Sequence, residues 1–579
     1  MIGGHDLPTP EGPRLNIHRC ARLAILGLLA GMAGPIVSAD EAAPFDVVIA
    51  NGHVIDGTGS PWYAADIGIR GGQVAAIGHL TGAARARTID ARGMVVAPGF
   101  IDMLGQSERT ILVDPRLPSK IYQGITTEIT GEGESAAPQN DAVRKANEHK
   151  CTHLHIQCDW STLREYYARL EKQGIGINVA SYVGATQVRE MVLGFDDRQP
   201  SASELETMQQ LVRDSMRDGA VGVSTSLEYP PAPYARTEEL IALATEAARY
   251  GGIYATHMRS EGDAIAQSLE ETLRIGREAH IPVEIWHLKV AGKENWGRMG
   301  EVVAKINAAR AEGVDVSADT YAYTAWSNDM SAFIPPWAHD GGKDKLVARL
   351  RDPAVRARIR KELLTPATSW DNEWQEISGP QDVMITAVLN PKLVPFQGKR
   401  LTDIAAAWHV DPMDALFDFL VADDGHTYCA VFGMSEPDVS LALQQPWVSI
   451  NNDSEGASPE GLLGREHPHP RAFGTFPRIL RKYVREEHKL TLEDAIRKFA
   501  ALPAQRLRLA DRGVLKEHMW ADIVVFDPAT VRDLATFADP NQLSQGMQYV
   551  LVNGALVIDA GAMTGQLPGK VLRGPGYQP

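Results

Sequence analysis

Ile253-Tyr254-Ala255-Thr256-His257 and Val283-Glu284-Ile285-Trp286-His287 are two short β-rich runs, and each of them ends on a histidine. Similar runs recur at residues 177–181, 220–224, 314–317 and 447–450. Most of them follow amphipathic stretches with a helical period, such as residues 203–218 and 237–250. This alternation over several hundred residues predicts an α/β fold of the (β/α)8 barrel type, with its active site at the carboxyl ends of the strands.

The two ends of the chain carry a different pattern. Short β-rich runs separated by turn signals such as Asn51-Gly52 and Arg70-Gly71-Gly72 fill residues 46–77, and the pattern returns at 521–527 and 550–554. We therefore expect a small β-sandwich built from residues 44–98 and 506–579, with the barrel between residues 99 and 505. Residues near 340–438 break the barrel rhythm and indicate an insertion.

The overall composition narrows the choice of partners. The chain has 579 residues and a formal net charge of -16. A phosphate surface would repel such a charge, so no nucleic-acid partner is expected. A small-molecule substrate fits better, and the sequence leaves a homo-oligomer open.

The amino terminus has the features of a targeting signal. Arg14, Arg19 and Arg22 precede an apolar run at residues 23–37, and Val37-Ser38-Ala39 is a small-residue cleavage pattern. A membrane anchor is the alternative, but the run is short and contains several glycines and Pro35. We expect a signal peptide at residues 1–39, no stable membrane span after cleavage, and a periplasmic or secreted protein.

Three cysteines follow the predicted signal peptide: Cys151, Cys158 and Cys429. An oxidising compartment would permit a disulfide between Cys151 and Cys158. The patch between His149 and Cys158 could instead hold a metal ion, but its spacing matches no known zinc module. We favour a surface insertion, closed by a disulfide, over a metal site.

Reactive side chains follow several predicted strands. His257 and His287 follow two of them, Asp453 follows another, and Glu132 comes after a run ending at Thr130. Singly, each histidine could be structural and each carboxylate a loop cap. A barrel brings equivalent strand ends together, so jointly they indicate a zinc site with an open position for water.

Several segments resemble the N-acyl-D-amino-acid deacylases, or D-aminoacylases, of the amidohydrolase superfamily. The resemblance covers nearly everything from Asp46 to Gly576, and it implies a (β/α)8 barrel with a β-sandwich from both chain ends. It also implies zinc-dependent hydrolysis of an amide bond in N-acyl amino acids, of D configuration. The segments are Val95–Asp102, Gln123–Glu128, Glu228–Pro231, Ala255–Arg259, His287–Lys289, His469–Arg478 and Leu502–Ala504.

The chain departs from the family pattern in two places. Leu104 and Gln106 stand where the superfamily usually has a His-x-His pair, so that metal subsite is expected to be empty. Glu132 stands where D-aminoacylases typically place a metal-binding cysteine, and Glu134 is the rival carboxylate. The resemblance then implies one zinc ion held by Glu132, His257 and His287.

The resemblance also implies roles for other residues. Asp453 would take a proton from the attacking water and return it to the leaving nitrogen. The substrate carboxylate would be held by residues around the barrel mouth, although Lys289 and Arg471 could instead form structural ion pairs. The expected substrate-binding residues are Lys289, Arg471, Tyr229, Tyr321 and Ser327.

Two other functions stay open at this point. The altered metal site is compatible with an amidohydrolase that acts on a peptide, a cyclic amide or a secondary-metabolite amide. A binding protein that kept the barrel and lost its chemistry is the third reading, and only the missing His-x-His pair supports it.

Overall fold

The computed structural model describes residues 43–367 and 370–579. The predicted signal peptide, residues 1–39, lies outside the described residues. Among the described residues, no helix is both long and apolar enough to cross a membrane.

Eight parallel strands form a closed barrel, as the alternation of runs and helices predicts. Nearly all of their residues are buried, which is typical of parallel strands covered by helices. The ring closes where the Met103 N–H donates to the Ile450 carbonyl at 3.4 Å. Barrel strands one to eight are Phe100–Asp102, Ile125–Thr130, Asn178–Ser181 with Val183–Gly184, Gly222–Ser226, Ile253–His257, Val283–Ile285, Val316–Thr320 and Val448–Ile450.

Helices follow the barrel strands and cover them. In the helix Ala202–Asp218, Ser201 and Glu204 form a reciprocal capping box, and Met208, Val212 and Met216 are buried. Other helices of this layer end at left-handed residues, such as His280. The remaining helices of the layer are Leu163–Gln173, Ala185–Leu193, Thr237–Arg249, Ile265–Ala279, Met299–Ala311, Glu436–Leu443, Arg471–Arg478 with the π-helix Ile479–Glu486, Leu492–Phe499 and Ala501–Arg506; short helices are Thr110–Val113, Pro118–Ile121, Asp141–Ala146 and Glu148–His153.

The segment between barrel strands seven and eight contains a small subdomain. Its antiparallel sheet pairs Tyr428–Val431 with both Trp326–Asp329 and Val383–Ala387. Its first strand lies before residue 340, so the interruption begins earlier than the sequence pattern suggests. The helices of this segment are Lys343–Arg351, Pro353–Leu363, Glu373–Glu376, Leu401–Trp408 and Pro412–Ala422.

Both chain ends contribute to one small β domain. Val95–Pro98 from the first half pairs antiparallel with Ile523–Phe526 from the second, which joins the two ends in a nine-stranded sheet. Buried residues from both halves, including Ile49, Val96 and Ile523, form its core. The other strands are Phe45–Val54, Tyr63–Arg70, Gln73–Gly78, Arg85–Asp90, Met547–Val552, Ala555–Asp559 and Ala562–Met563.

The segment 148–158 is closed by a disulfide between Cys151 and Cys158, the reading that the sequence favours. Cys429 is a buried free thiol. His149 stacks on His426, with ring centroids 3.9 Å apart. These two histidines therefore join the disulfide segment to the subdomain.

Candidate metal and catalytic site

Glu132, His257 and His287 converge at the carboxyl ends of the barrel strands. The Glu132 Oε1 lies 3.2 Å from both His257 Nδ1 and His287 Nε2. Neighbouring ligand atoms of a tetrahedral zinc ion with bonds of about 2.0–2.1 Å are about 3.3 Å apart. The spacing and the donor types of these three side chains therefore fit a zinc ion, and the group meets the geometry of a possible metal site.

The backbone around Glu132 explains how its carboxylate reaches the histidines. Gly131 and Gly133 flank it with φ angles of +100° and +64°. A Cβ on Gly133 would lie 2.5 Å from the Ser226 Cβ on barrel strand four. Only glycine combines this left-handed backbone with so close an approach.

Two further carboxylates contact the ring nitrogens of these histidines that do not face Glu132. The His257 Nε2 lies 2.8 Å from Glu228 Oε2, and the His287 Nδ1 lies 3.0 Å from Glu261 Oε1. A proton on His257 Nε2, donated to Glu228, leaves His257 Nδ1 free to bind a metal ion, and the nitrogen of His287 that faces Glu132 is Nε2. The His287 N–H also donates to Asp319 Oδ1 at 2.6 Å, which fixes the backbone at that ligand.

Asp453 lies beside the three candidate ligands. Its Oδ2 pairs with Arg471 Nη1 at 2.7 Å, and its Oδ1 accepts from Gln106 Nε2 at 2.8 Å. The same Gln106 nitrogen donates to Glu132 Oε2 at 2.7 Å. Asp453 is thus close to the site without being one of the three convergent donors.

Burial changes the protonation behaviour of these carboxyl groups. Burial raises the pKa of Asp453 above its ordinary value, although the Arg471 guanidinium opposes the change. Burial also acts to raise the pKa of Glu132, but its contacts with His257 and His287 outweigh this and hold the pKa below the ordinary value. The carboxylate anion is the form of Glu132 that a metal ion would bind.

The expected substrate-binding residues surround this cluster. Arg471 stacks over the Tyr321 ring at 4.8 Å, and its Nη2 donates to the Ser327 carbonyl at 3.3 Å. Tyr229 packs edge-on against His257, with centroids 5.1 Å apart. The Lys289 ammonium pairs with Glu261 and lies 2.7 Å from His287 Nδ1. Lys289 and Arg471 thus both make internal ion pairs, the alternative that the sequence left open.

Glu134, the rival carboxylate, lies elsewhere. Its Oε2 accepts from Lys150 Nζ at 3.2 Å, and it does not join the histidines. Leu104, at the first missing histidine position, is completely buried in an apolar cluster with Ile129 and Trp286. An aliphatic side chain at this position fills the barrel interior.

A small pocket adjoins Glu228. Its volume is about 20 Å³, and Glu228, Trp370 and Asp371 lie in its wall. Burial and the nearby Glu228 raise the pKa of Asp371 to about 7. A separate cleft of about 600 Å³, near Arg485 and Met547, shares no residue with the metal cluster, so its size does not mark the chemical site.

Glu228 and Glu261 were not assigned roles from the sequence. Glu228 lies two residues after the end of barrel strand four, so its position near a strand end was an available signal. Glu261 comes four residues after His257, in a loop. No periodic pattern predicts its side-chain direction, so only the folded structure reveals its contact with His287.

Known proteins resemble this chain in sequence. A sequence model described as the amidohydrolase family matches residues 462–558. The D-aminoacylase of Alcaligenes xylosoxydans xylosoxydans is 37% identical over 542 residues, which are 93% of this chain and 99% of that protein.

Solved structures show the same likeness. A D-aminoacylase structure described for its binuclear metal center, with one-metal activation and second-metal attenuation, has a TM-score of 0.77 and 36% identity, and covers 92% of this chain and 100% of that one. The N-acyl-D-glutamate deacylase of Bordetella bronchiseptica, complexed with zinc and a phosphonate mimic of the tetrahedral intermediate, has a TM-score of 0.77, 34% identity and the same coverage.

Proposed function

Because this chain belongs to the D-aminoacylase family of the amidohydrolases, we propose that it hydrolyses the amide bond of N-acyl-D-amino acids at the cluster formed by Glu132, His257 and His287. It is a zinc-dependent amidohydrolase acting on an amide C–N bond. The observation that carries the proposal is the convergence of one carboxylate oxygen and two imidazole nitrogens 3.2 Å from that oxygen.

The proposed mechanism assigns the proton transfers to Asp453. When bound, zinc supplies Lewis acidity and lowers the pKa of a water molecule to about 7. Asp453 accepts the proton of the attacking water and then returns it to the leaving nitrogen, because an amine anion is a very poor leaving group. The raised pKa of Asp453 suits a group that must both accept and donate this proton.

Arg471 is proposed to hold the substrate carboxylate while it positions Asp453. Its Nε is buried and has no hydrogen-bond partner among the described residues. A buried, unused N–H of a guanidinium is costly, so a carboxylate ligand would satisfy it. Tyr321, which lies against Arg471, and the nearby Ser327 complete this proposed subsite, with Tyr229 and Lys289 beside the histidines.

A substrate panel tests the proposal. We expect the zinc-loaded protein to hydrolyse N-acetyl-D-amino acids, with their L-isomers much slower, and to lose activity when zinc is removed. Rates on dipeptides or cyclic amides that exceed those on every N-acetyl-D-amino acid would instead favour the second amidohydrolase reading. A protein that binds no zinc and stays inactive after zinc addition would leave only a binding role.

Export to the periplasm or the medium is also proposed. The charged and apolar pattern at residues 14–39 supports it, as does the Cys151–Cys158 disulfide, since disulfides persist in oxidising compartments. Amino-terminal sequencing of the protein recovered from a cell fractionation tests it. A full-length chain in the cytoplasmic fraction would contradict the proposal.

A further inference from the structure

We infer that the Gln106 side-chain amide occupies the place of a second cation, holding Glu132 and Asp453 together and limiting the site to one zinc ion. This inference rests on the proposed function for the identity of the metal, and it adds a positioning role for a residue that cannot itself do the chemistry.

The first support is the geometry of the Gln106 nitrogen. Its Nε2 lies 2.7 Å from Glu132 Oε2 and 2.8 Å from Asp453 Oδ1. Ionised carboxylates only accept hydrogen bonds, so the NH2 end of the amide, with its two hydrogens, must be the end that faces them. One nitrogen thus satisfies two converging carboxylate oxygens, which otherwise would need a cation between them.

The second support is that each carboxylate uses one oxygen for Gln106 and the other oxygen for a different partner. Glu132 turns Oε1 towards both histidines and Oε2 towards Gln106. Asp453 turns Oδ2 towards Arg471 and Oδ1 towards Gln106. Gln106 therefore determines which oxygen of Glu132 faces the two histidines, and it fixes the rotation of the Asp453 carboxylate.

The third support is that two carboxylates beside the Gln106 loop already share a buried ammonium. The completely buried Lys120 ammonium lies 2.9 Å from both Asp102 Oδ2 and Glu128 Oε2. A Cβ on Gly105, next to Gln106, would lie 2.4 Å from that Glu128 oxygen, so this ion-pair cluster lies directly against the Gln106 loop. Lys120 offsets one of the two negative charges of Asp102 and Glu128, and its ammonium already contacts an oxygen of each.

Counting bound zinc tests the inference independently of any substrate. We expect one zinc ion per chain in the wild type, even with zinc in excess, measured by mass spectrometry of the metal content and by calorimetric titration. Gln106→Glu adds a carboxylate between two others, so it is expected to bind a second zinc ion. Gln210→Glu makes the same chemical change on an exposed helix surface and should leave the count at one.

Gln106→Met separates the effect of Gln106 on the position of the carboxylates from its effect on the number of bound zinc ions. It keeps the size of the side chain but removes both N–H donors, so zinc should stay at one ion per chain while kcat falls about 10- to 100-fold and KM changes little. If Gln106→Glu fails to fold, Gln106→His serves the same purpose, because imidazole is also a zinc ligand.

The inference is overturned by two zinc ions of similar affinity in the wild type, or by a count that stays at one in folded Gln106→Glu and Gln106→His variants. A wild type that binds no zinc also overturns it, together with the proposed function. A wild type with one zinc ion that hydrolyses none of the tested amides contradicts only the proposed substrate class.

Discussion

At the scale of single residues, the site depends on two carboxylates, and the two oxygens of each make different contacts. Glu132 uses one oxygen towards the histidines and the other towards Gln106, and Asp453 is divided between Gln106 and Arg471 in the same way. A substitution that changes one side-chain atom is therefore expected to remove proton transfer without removing the zinc ion.

Asp453→Asn is expected to abolish proton transfer while leaving zinc in place. The amide is nearly isosteric but cannot accept the water's proton, so kcat should fall about 10²- to 10⁴-fold. Steady-state kinetics together with the zinc content of the purified variant measure this. Near-normal kcat at full zinc occupancy would remove Asp453 from the mechanism.

Glu228→Gln is expected to weaken zinc binding without removing a ligand. Glu228 orients the His257 ring through a 2.8 Å contact, and such outer partners are worth about 10- to 100-fold in metal affinity or activity. Competition with a chelator measures the affinity. The matched control is Glu271→Gln, since Glu271 pairs with Arg259 and does not touch either histidine; equal effects in both variants would argue against a role for Glu228.

At the scale of elements, the short loops after the barrel strands place the candidate ligands. The Glu132 loop depends on Gly131 and Gly133, and the loops at His287 and Asp453 have φ angles of +36° and +45°. Such conformations are uncommon outside glycine and occur preferentially at functional sites. Two of the residues with this backbone, His287 and Asp453, thus lie at strand ends that face the candidate site.

Gly133→Ala should displace the Glu132 loop. A left-handed backbone costs an L-residue about 1–2 kcal/mol, and the new Cβ would also overlap Ser226. We expect a lower free energy of unfolding and a loss of zinc affinity, measured by denaturant titration and metal analysis. Gly71→Ala is the control, because its φ is +58° and no atom lies within 4 Å of its added Cβ. If the two variants behaved alike, close packing at Gly133 would not matter.

At the scale of the whole molecule, the carboxyl-terminal segment contacts the barrel on the side opposite the site. After the β domain, the carboxyl-terminal segment runs along the amino-terminal ends of the strands. Pro568 bridges to Ile175, Val571 bridges to Val179, and the Gly574 N–H donates to the Gly219 carbonyl. Stability and chemistry are thereby located at opposite ends of the barrel, the usual division in this architecture.

Removing residues 568–579 should therefore lower stability more than activity. The deletion exposes backbone groups near Ile175, Val179 and Gly219, and at about 1 kcal/mol for each lost hydrogen bond the cost is on the order of 5 kcal/mol. Thermal unfolding should show a lower Tm, while kcat/KM per folded molecule at low temperature stays close to normal. An unchanged Tm would show that this segment does not stabilise the barrel.

Periodicity and composition were enough to predict the barrel and the small β domain, because buried parallel strands are continuous apolar runs and both chain ends carry hairpin signals. The residues at the strand ends also pointed to Glu132, His257, His287 and Asp453 as neighbours. The pairing of Trp326–Asp329 with Tyr428–Val431 could not be predicted, since two strands far apart in sequence carry no mark of being partners.

Sequence by itself thus determined the architecture, the residue types available to a metal ion and the absence of a His-x-His pair at Leu104 and Gln106. Only the tertiary structure decided that Glu132 rather than Glu134 meets the histidines, that Glu228 and Glu261 support them, and that Gln106 joins Glu132 to Asp453. The physical reason is that these choices depend on side-chain direction at loop residues, and the packing of distant strands sets that direction rather than any local pattern.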